Sequence, residues 1–96
     1  MSVLLVFEIK ITDPDKFEEY RKLVPPIIAR YGGKYLVRGG PAKNVEGDWI
    51  PERIVILEFE SEQTAHQFLH SSEYAPVKMI RMESSTSRGI IVETVS

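Results

Sequence analysis

The stretch Tyr31-Gly32-Gly33-Lys34-Tyr35-Leu36-Val37-Arg38-Gly39-Gly40 ends a helix, makes a short strand and leaves it through a second glycine pair, all in ten residues. Gly32 is a natural left-handed stop for the preceding helix. Lys34–Arg38 reads as a strand, and Gly39-Gly40-Pro41 breaks it. The order helix, glycine pair, strand, glycine pair decides the fold, and the elements on either side follow from it.

Upstream, residues 2–11 read as a strand with Val3, Leu5, Phe7, Ile9 and Ile11 on one face. Leu4 and Val6 on the other face are apolar too, but Glu8 and Lys10 are not. A strand apolar on both sides is covered on both sides. Asp13-Pro14 opens the helix: Asp13 caps free N–H groups and Pro14 suits the first helical position. Phe17, Tyr20, Val24, Ile27, Ile28 and Tyr31 fall on one stripe. Pro25-Pro26 interrupts it, which predicts a kink near Lys22–Val24.

Downstream, Asn44–Pro51 is a polar loop carrying the only tryptophan. Arg53–Glu60 is a third strand, with Val55, Leu57 and Phe59 on one face and Ile54, Ile56 and Glu58 on the other. Ser61 caps a helix whose stripe is Ala65, Phe68 and Leu69. A break at Ser71-Ser72 precedes a second helical piece over 72–83, with Tyr74, Val77 and Ile80 on one side. The polar run Ser84-Ser85-Thr86-Ser87 leads into a last strand over 88–95.

The order βαββαβ predicts a ferredoxin-like α+β domain spanning residues 1–96: a four-stranded antiparallel sheet with helices on one face. Its other face carries Leu4, Val6, Ile54, Ile56 and Ile91, an apolar patch that calls for a cover. A second copy packing sheet to sheet is the simplest one, giving a two-fold α+β barrel homodimer.

Composition bounds the function. The net charge is -2 with both signs interspersed, so no basic stripe suggests nucleic acid. The absence of cysteine excludes disulfides and thiolate catalysis. The apolar run Val3–Phe7 is too short for a membrane span, and a cytoplasmic location without membrane contact is expected. His66 and His70 stand four apart after Glu62, but project away from the apolar stripe and lack the remaining ligands of a zinc site. Neither a metal nor a cofactor is expected.

The chain resembles the family known as domain of unknown function 1330, within the dimeric α+β barrel superfamily. Tyr31-Gly32-Gly33 with Tyr35-Leu36-Val37-Arg38-Gly39-Gly40 carries the resemblance, with Glu46-Gly47-Asp48-Trp49, Pro51 and Arg53. Ile56-Leu57-Glu58-Phe59, Ser72-Glu73-Tyr74 and Arg81 continue it. The resemblance implies the fold and a homodimer, and no activity. Relatives in the superfamily include cofactor-free monooxygenases, haem-degrading enzymes and small-molecule isomerases, a kinship of fold and not of site.

Six residues are candidates for a ligand site: Arg38, Trp49, Arg53, Glu58, Tyr74 and Arg81. Arg38 ends the second strand beside the third, and its planar fork suits a carboxylate, either Glu58 or an anionic ligand. Glu8 and Glu58 share the face assigned to the barrel interior, where a carboxylate needs a partner. Trp49 is read as a lid over a pocket or as a clasp on its own domain or the dimer partner. Asp48 and Arg53 flank it. Tyr74 and Arg81 lie seven residues apart on one helical side, positioned to line the same pocket mouth. Three readings stand side by side: a small-molecule binding module, a cofactor-independent monooxygenase or isomerase with Glu8 or Glu58 as base, and a purely structural dimer.

Overall fold

The computed structural model describes residues 2–95. Its elements are β1 (Val3–Ile11), α1 (Pro14–Arg30), β2 (Lys34–Arg38), β3 (Ile54–Phe59), α2 (Glu62–Leu69), α3 (Tyr74–Ser84) and β4 (Ser85–Glu93). The sheet is antiparallel in the order β2-β3-β1-β4. This is the ferredoxin-like arrangement, with the second helical region in two pieces.

Local chemistry sets the boundaries. The Asp13 carboxylate accepts from the Lys16 N–H at 3.2 Å and starts α1 with Pro14 in its first turn. Gly32 takes φ +79°, the left-handed geometry that ends the helix without a Cβ penalty. Ser61 caps α2 by accepting from the Thr64 N–H at 3.1 Å. Ser71 serves both pieces of the second helical region. Its hydroxyl donates to the Phe68 carbonyl at 2.9 Å and accepts from the Tyr74 N–H at 3.1 Å. Ser84 and Ser85 then return their hydroxyls to the Ile80 and Arg81 carbonyls at 2.6 Å each, satisfying the end of α3. β4 therefore begins at Ser85, three residues before the expected start.

The core lies between helices and sheet. Val3, Leu5, Leu57 and Phe59 meet Val24, Ile27, Ile28, Ala65, Phe68, Tyr74 and Val77 there, all buried. Phe59, Phe68 and Tyr74 form a chain of rings with centroids 5.5 and 4.4 Å apart. The two face assignments for β1 and β3 hold: Leu5 pairs with Leu57, and Val6 with Ile56.

Two expectations are corrected. Ile91 stands opposite Leu5, so it packs on the helix side with the core. The open face carries Ile90 and Val92 instead, opposite Val6 and Leu4. The run Ile90-Ile91-Val92 has no alternation, so pairing alone decides its faces. Glu93, opposite Val3, also belongs to the helix side.

The second correction is Arg38. The β2–β3 register pairs Tyr35 with Leu57, but Val37 with Ile56, so Leu36 is an extra residue. This β-bulge reverses the alternation after it. Arg38 pairs with Val55 and turns to the helix side, away from Glu58. Glu58 instead accepts from the Ser2 hydroxyl at 2.9 Å on the open face.

Candidate functional site

A cavity of about 30 Å³ lies between α1, α3 and the helix-facing side of the sheet. Four of the six candidate residues line it: Arg38, Arg53, Tyr74 and Arg81. Tyr20, Arg21 and Tyr35, which the sequence reading did not single out as site residues, join them. The remaining wall is apolar and rich in rings, Phe7, Phe17 and Phe68 among them. No aspartate, glutamate or histidine is among the lining residues.

Each guanidinium reaches the cavity for a local reason. Arg53 immediately precedes β3, its carbonyl held by the Ile9 N–H at 2.9 Å. Alternation puts its side chain on the same side as Val55 and Leu57, and its guanidinium carbon sits 5.7 Å from the Phe17 centroid. Gly39 takes φ +72°, and any side chain there would collide with that guanidinium. Gly39 therefore does more than end a strand; it makes room for Arg53. Burial, then the like charges of Arg21 and Arg38, hold the Arg53 pKa below its ordinary value.

Arg81 is only 7% exposed. Its guanidinium carbon lies 5.1 Å from the Phe7 centroid, and its Nη1 donates to the Ser87 hydroxyl. The Nε atoms of both Arg81 and Arg53 are buried without a hydrogen-bond partner. Beside Arg81 the Tyr20 and Tyr74 hydroxyls share a hydrogen bond of 3.0 Å. Burial, followed by the neighbouring Tyr74, pushes the Tyr20 pKa far up, with Arg81 opposing only in part. Tyr20 is therefore a neutral donor or acceptor at any ordinary pH. Tyr35 is also shifted up, chiefly by burial.

Arg38 closes the mouth. Its guanidinium lies 4.7 Å from the Tyr35 centroid, and its Nη2 donates to the Arg21 carbonyl at 3.3 Å. That carbonyl is available because of Pro25. In a helix it would accept from the N–H of residue 25, and proline has none. The proline pair, expected as a kink, lies inside the continuous helix α1, and the first proline leaves an acceptor that a strand residue takes up.

Trp49 and Glu58 are not part of this cavity. The Trp49 indole donates to Glu8 Oε2 at 2.7 Å, and Arg88 Nε donates to Glu8 Oε1 at 2.7 Å. The Trp49 bond, then the Arg88 bond, hold the Glu8 carboxyl below its ordinary range. Glu8 pairs with Ile54 and Arg88, so this cluster stands on the open face, beside a groove of about 300 Å³. Trp49 pins its loop to its own domain rather than covering Arg53. The expected ion pair of Arg38 with Glu58 is replaced by two separate contacts on opposite faces, by reason of the bulge. His66 and His70 are exposed, stacked 5.7 Å apart, with Glu62 3.4 Å from His66. Among the described residues no group of three metal-ligating side chains converges.

The missed residues had faint signals. Tyr20 lay in the apolar stripe of α1, where a core role accounted for it. Arg88 became a partner of Glu8 only through the β1–β4 register.

Solved structures share this fold. A protein of unknown function from Rhodopseudomonas palustris matches with a TM-score of 0.81 at 16% identity, over 99% of this chain and 83% of that one. SnoaB, a cofactor-independent oxygenase from Streptomyces nogalater, gives 0.71 at 18% identity, over 99% and 94%. A hypothetical protein of Arabidopsis thaliana gives 0.70 at 17% identity, over 98% and 88%. At these identities the likeness is one of fold. No curated protein matches the chain. The sequence itself is more specific: residues 2–95 match the domain of unknown function DUF1330, and the chain belongs to that family.

Proposed function

We propose that this protein binds a small anionic molecule in the cavity between its helices and sheet. One observation carries the reading. Arg81, which is buried, and Arg53, which is half-buried, each keep a buried Nε donor without a partner in a cavity whose lining has no carboxylate. A buried cation without a counter-charge is costly, and an anion removes that cost. The ring-rich wall suits the apolar body of such a ligand. Calorimetry with small carboxylates and phenols tests this: wild type should bind at least one, and Arg81→Gln should weaken it about tenfold or more. Absence of binding throughout the panel refutes the reading.

The protein would act as a homodimer joined through the open sheet face. Ile90 and Val92 are 61% and 43% exposed there, beside Leu4, Val6 and Ile56. This cover leaves the cavity, on the opposite side of the sheet, intact. A cytoplasmic setting is consistent with the cysteine-free chain, in which no helix of the described residues is long and apolar enough to cross a membrane.

An enzyme of the cofactor-independent oxygenase type is the second reading. The Tyr20–Tyr74 hydroxyl pair beside Arg81 favours it, because a phenol O–H and a guanidinium stabilise a developing oxyanion. The bases first considered, Glu8 and Glu58, stand on the open face and do not line the cavity. In this reading the substrate enters the cavity already ionised.

A further inference from the structure

The cations of the cavity fall into two groups. Arg81 lies against Phe7, beside the Tyr20–Tyr74 hydroxyls. Arg53 lies against Phe17, and the charges acting on it come first from Arg21 and Arg38. Each group contains one buried Nε without a partner. Of the four guanidinium groups only Arg21 has an ion-pair partner among the described residues, Glu18 at 3.2 Å. Four cations less one paired leaves three, spread over both groups. A single negative charge would answer one group and leave the other uncompensated.

The volume adds a second constraint. About 30 Å³ is room for roughly two waters, which matches the two oxygens of one acidic group and excludes a bulky body. At the mouth, Arg38 is exposed and held by one long bond of 3.3 Å, so it can turn to meet a group arriving from solvent. Only the inner acidic group then needs the enclosed space, with the chain running out toward the mouth.

Resting on the anion-binding reading above, the geometry points to a slim dianion: two acidic groups joined by a short apolar chain. The inner group accepts from Arg81 and the Tyr20–Tyr74 pair, and the outer group accepts from Arg53 and Arg38. One hydroxyl of the Tyr20–Tyr74 pair donates to the other, so the pair supplies one free O–H donor at the inner end, and the rings of Phe7 and Phe17 flank the two poles. Selection among anions comes from having two poles rather than from total charge.

The test is titration calorimetry of the wild-type protein with succinate, glutarate and adipate, each beside the monocarboxylate of equal chain length. The best dicarboxylate should bind about ten- to a hundredfold tighter than its monocarboxylate, the worth of a second charge-assisted contact. Arg81→Gln and Arg53→Gln should each bring that ratio close to one while still binding a monocarboxylate at the remaining pole. Circular dichroism confirms that the variants fold, and Arg53→Gln, at the less buried position, carries the test if Arg81→Gln does not. Equal binding of mono- and dicarboxylates by wild type overturns the two-pole inference and leaves the anion site standing. So does a ratio that survives in the folded variants. No binding of any carboxylate or phenol overturns both.

Discussion

Substituting alanine at Gly39 and at Gly32 separates two costs that usually come together. Both glycines hold a left-handed backbone, φ +72° and +79°. At Gly32 nothing lies within 4 Å of an added Cβ, so Gly32→Ala meets backbone strain alone. That strain is about 1–2 kcal/mol. At Gly39 the same strain applies, and the new methyl also strikes the Arg53 guanidinium. Overfilling costs about 1–3 kcal/mol. Arg53 ends in a flexible side chain, so the lower part of that range applies, and Gly39→Ala should cost about 2–3 kcal/mol in all. In a domain of this size each kcal/mol lowers Tm by about 4–8 °C. Thermal and urea melts of wild type, Gly32→Ala, Gly39→Ala, Arg53→Ala and the Gly39→Ala/Arg53→Ala pair complete a double-mutant cycle. With Arg53 truncated, Gly39→Ala should fall to the Gly32→Ala value, a coupling of about 1 kcal/mol. Gly40→Ala, with open space and no positive φ, is the neutral control. Equal losses at Gly32 and Gly39 with zero coupling would refute the claim that the glycine exists to admit Arg53.

Three further outcomes follow from the same geometry. Trp49 is the sole tryptophan and Glu8 its acceptor, so indole fluorescence reports that bond. The folded carboxyl titrates below its ordinary value of 4.5, so the contact is complete above that pH and is lost as pH falls through the lowered value; a fluorescence midpoint at or above 4.5, or one persisting in Glu8→Gln, would contradict it. Ile90 is 61% exposed on the open face, so Ile90→Glu should convert a dimer to a folded monomer in size-exclusion chromatography with light scattering, and a wild type that elutes as a monomer would end the dimer reading. Pro25→Ala returns an N–H to the Arg21 carbonyl. Arg38→Ala should then destabilise the Pro25→Ala background less than wild type, by about 0.5–1 kcal/mol, and equal losses in chemical melts would detach Arg38 from that carbonyl.

Most of the fold was legible because its punctuation is local. Asp13-Pro14, Gly32, Ser61 and the Ser71-Ser72 break are helix ends whose chemistry sits within a few residues, and each is where the chain turns. Alternation assigned both faces of β1 and β3 because Glu8, Lys10 and Glu58 mark one face of otherwise apolar strands. It failed at Ile90-Ile91-Val92, which is apolar throughout, and at Arg38, where Leu36 is inserted against a partner strand. Both failures are non-local: register is a property of two strands, and one strand's sequence does not contain it. The site followed the same division. Of the residues that line the cavity, Tyr74 and Arg81 were singled out from their spacing on a helix and Arg53 only as a neighbour of Trp49. Trp49 was not, because a fifteen-residue connection from Gly39 to Arg53 gives no periodicity by which to aim a side chain.

The inserted Leu36 also bears on how relatives are compared. A protein with the same Arg-Gly-Gly letters but one residue fewer in β2 would present its arginine to the opposite side of the sheet, where the second copy is expected. Shared letters would then mark different surfaces, one lining a cavity and one lining a contact between chains. Sorting relatives by the length of β2 would then divide them by the face their arginine takes, which the identity of position 38 alone does not do.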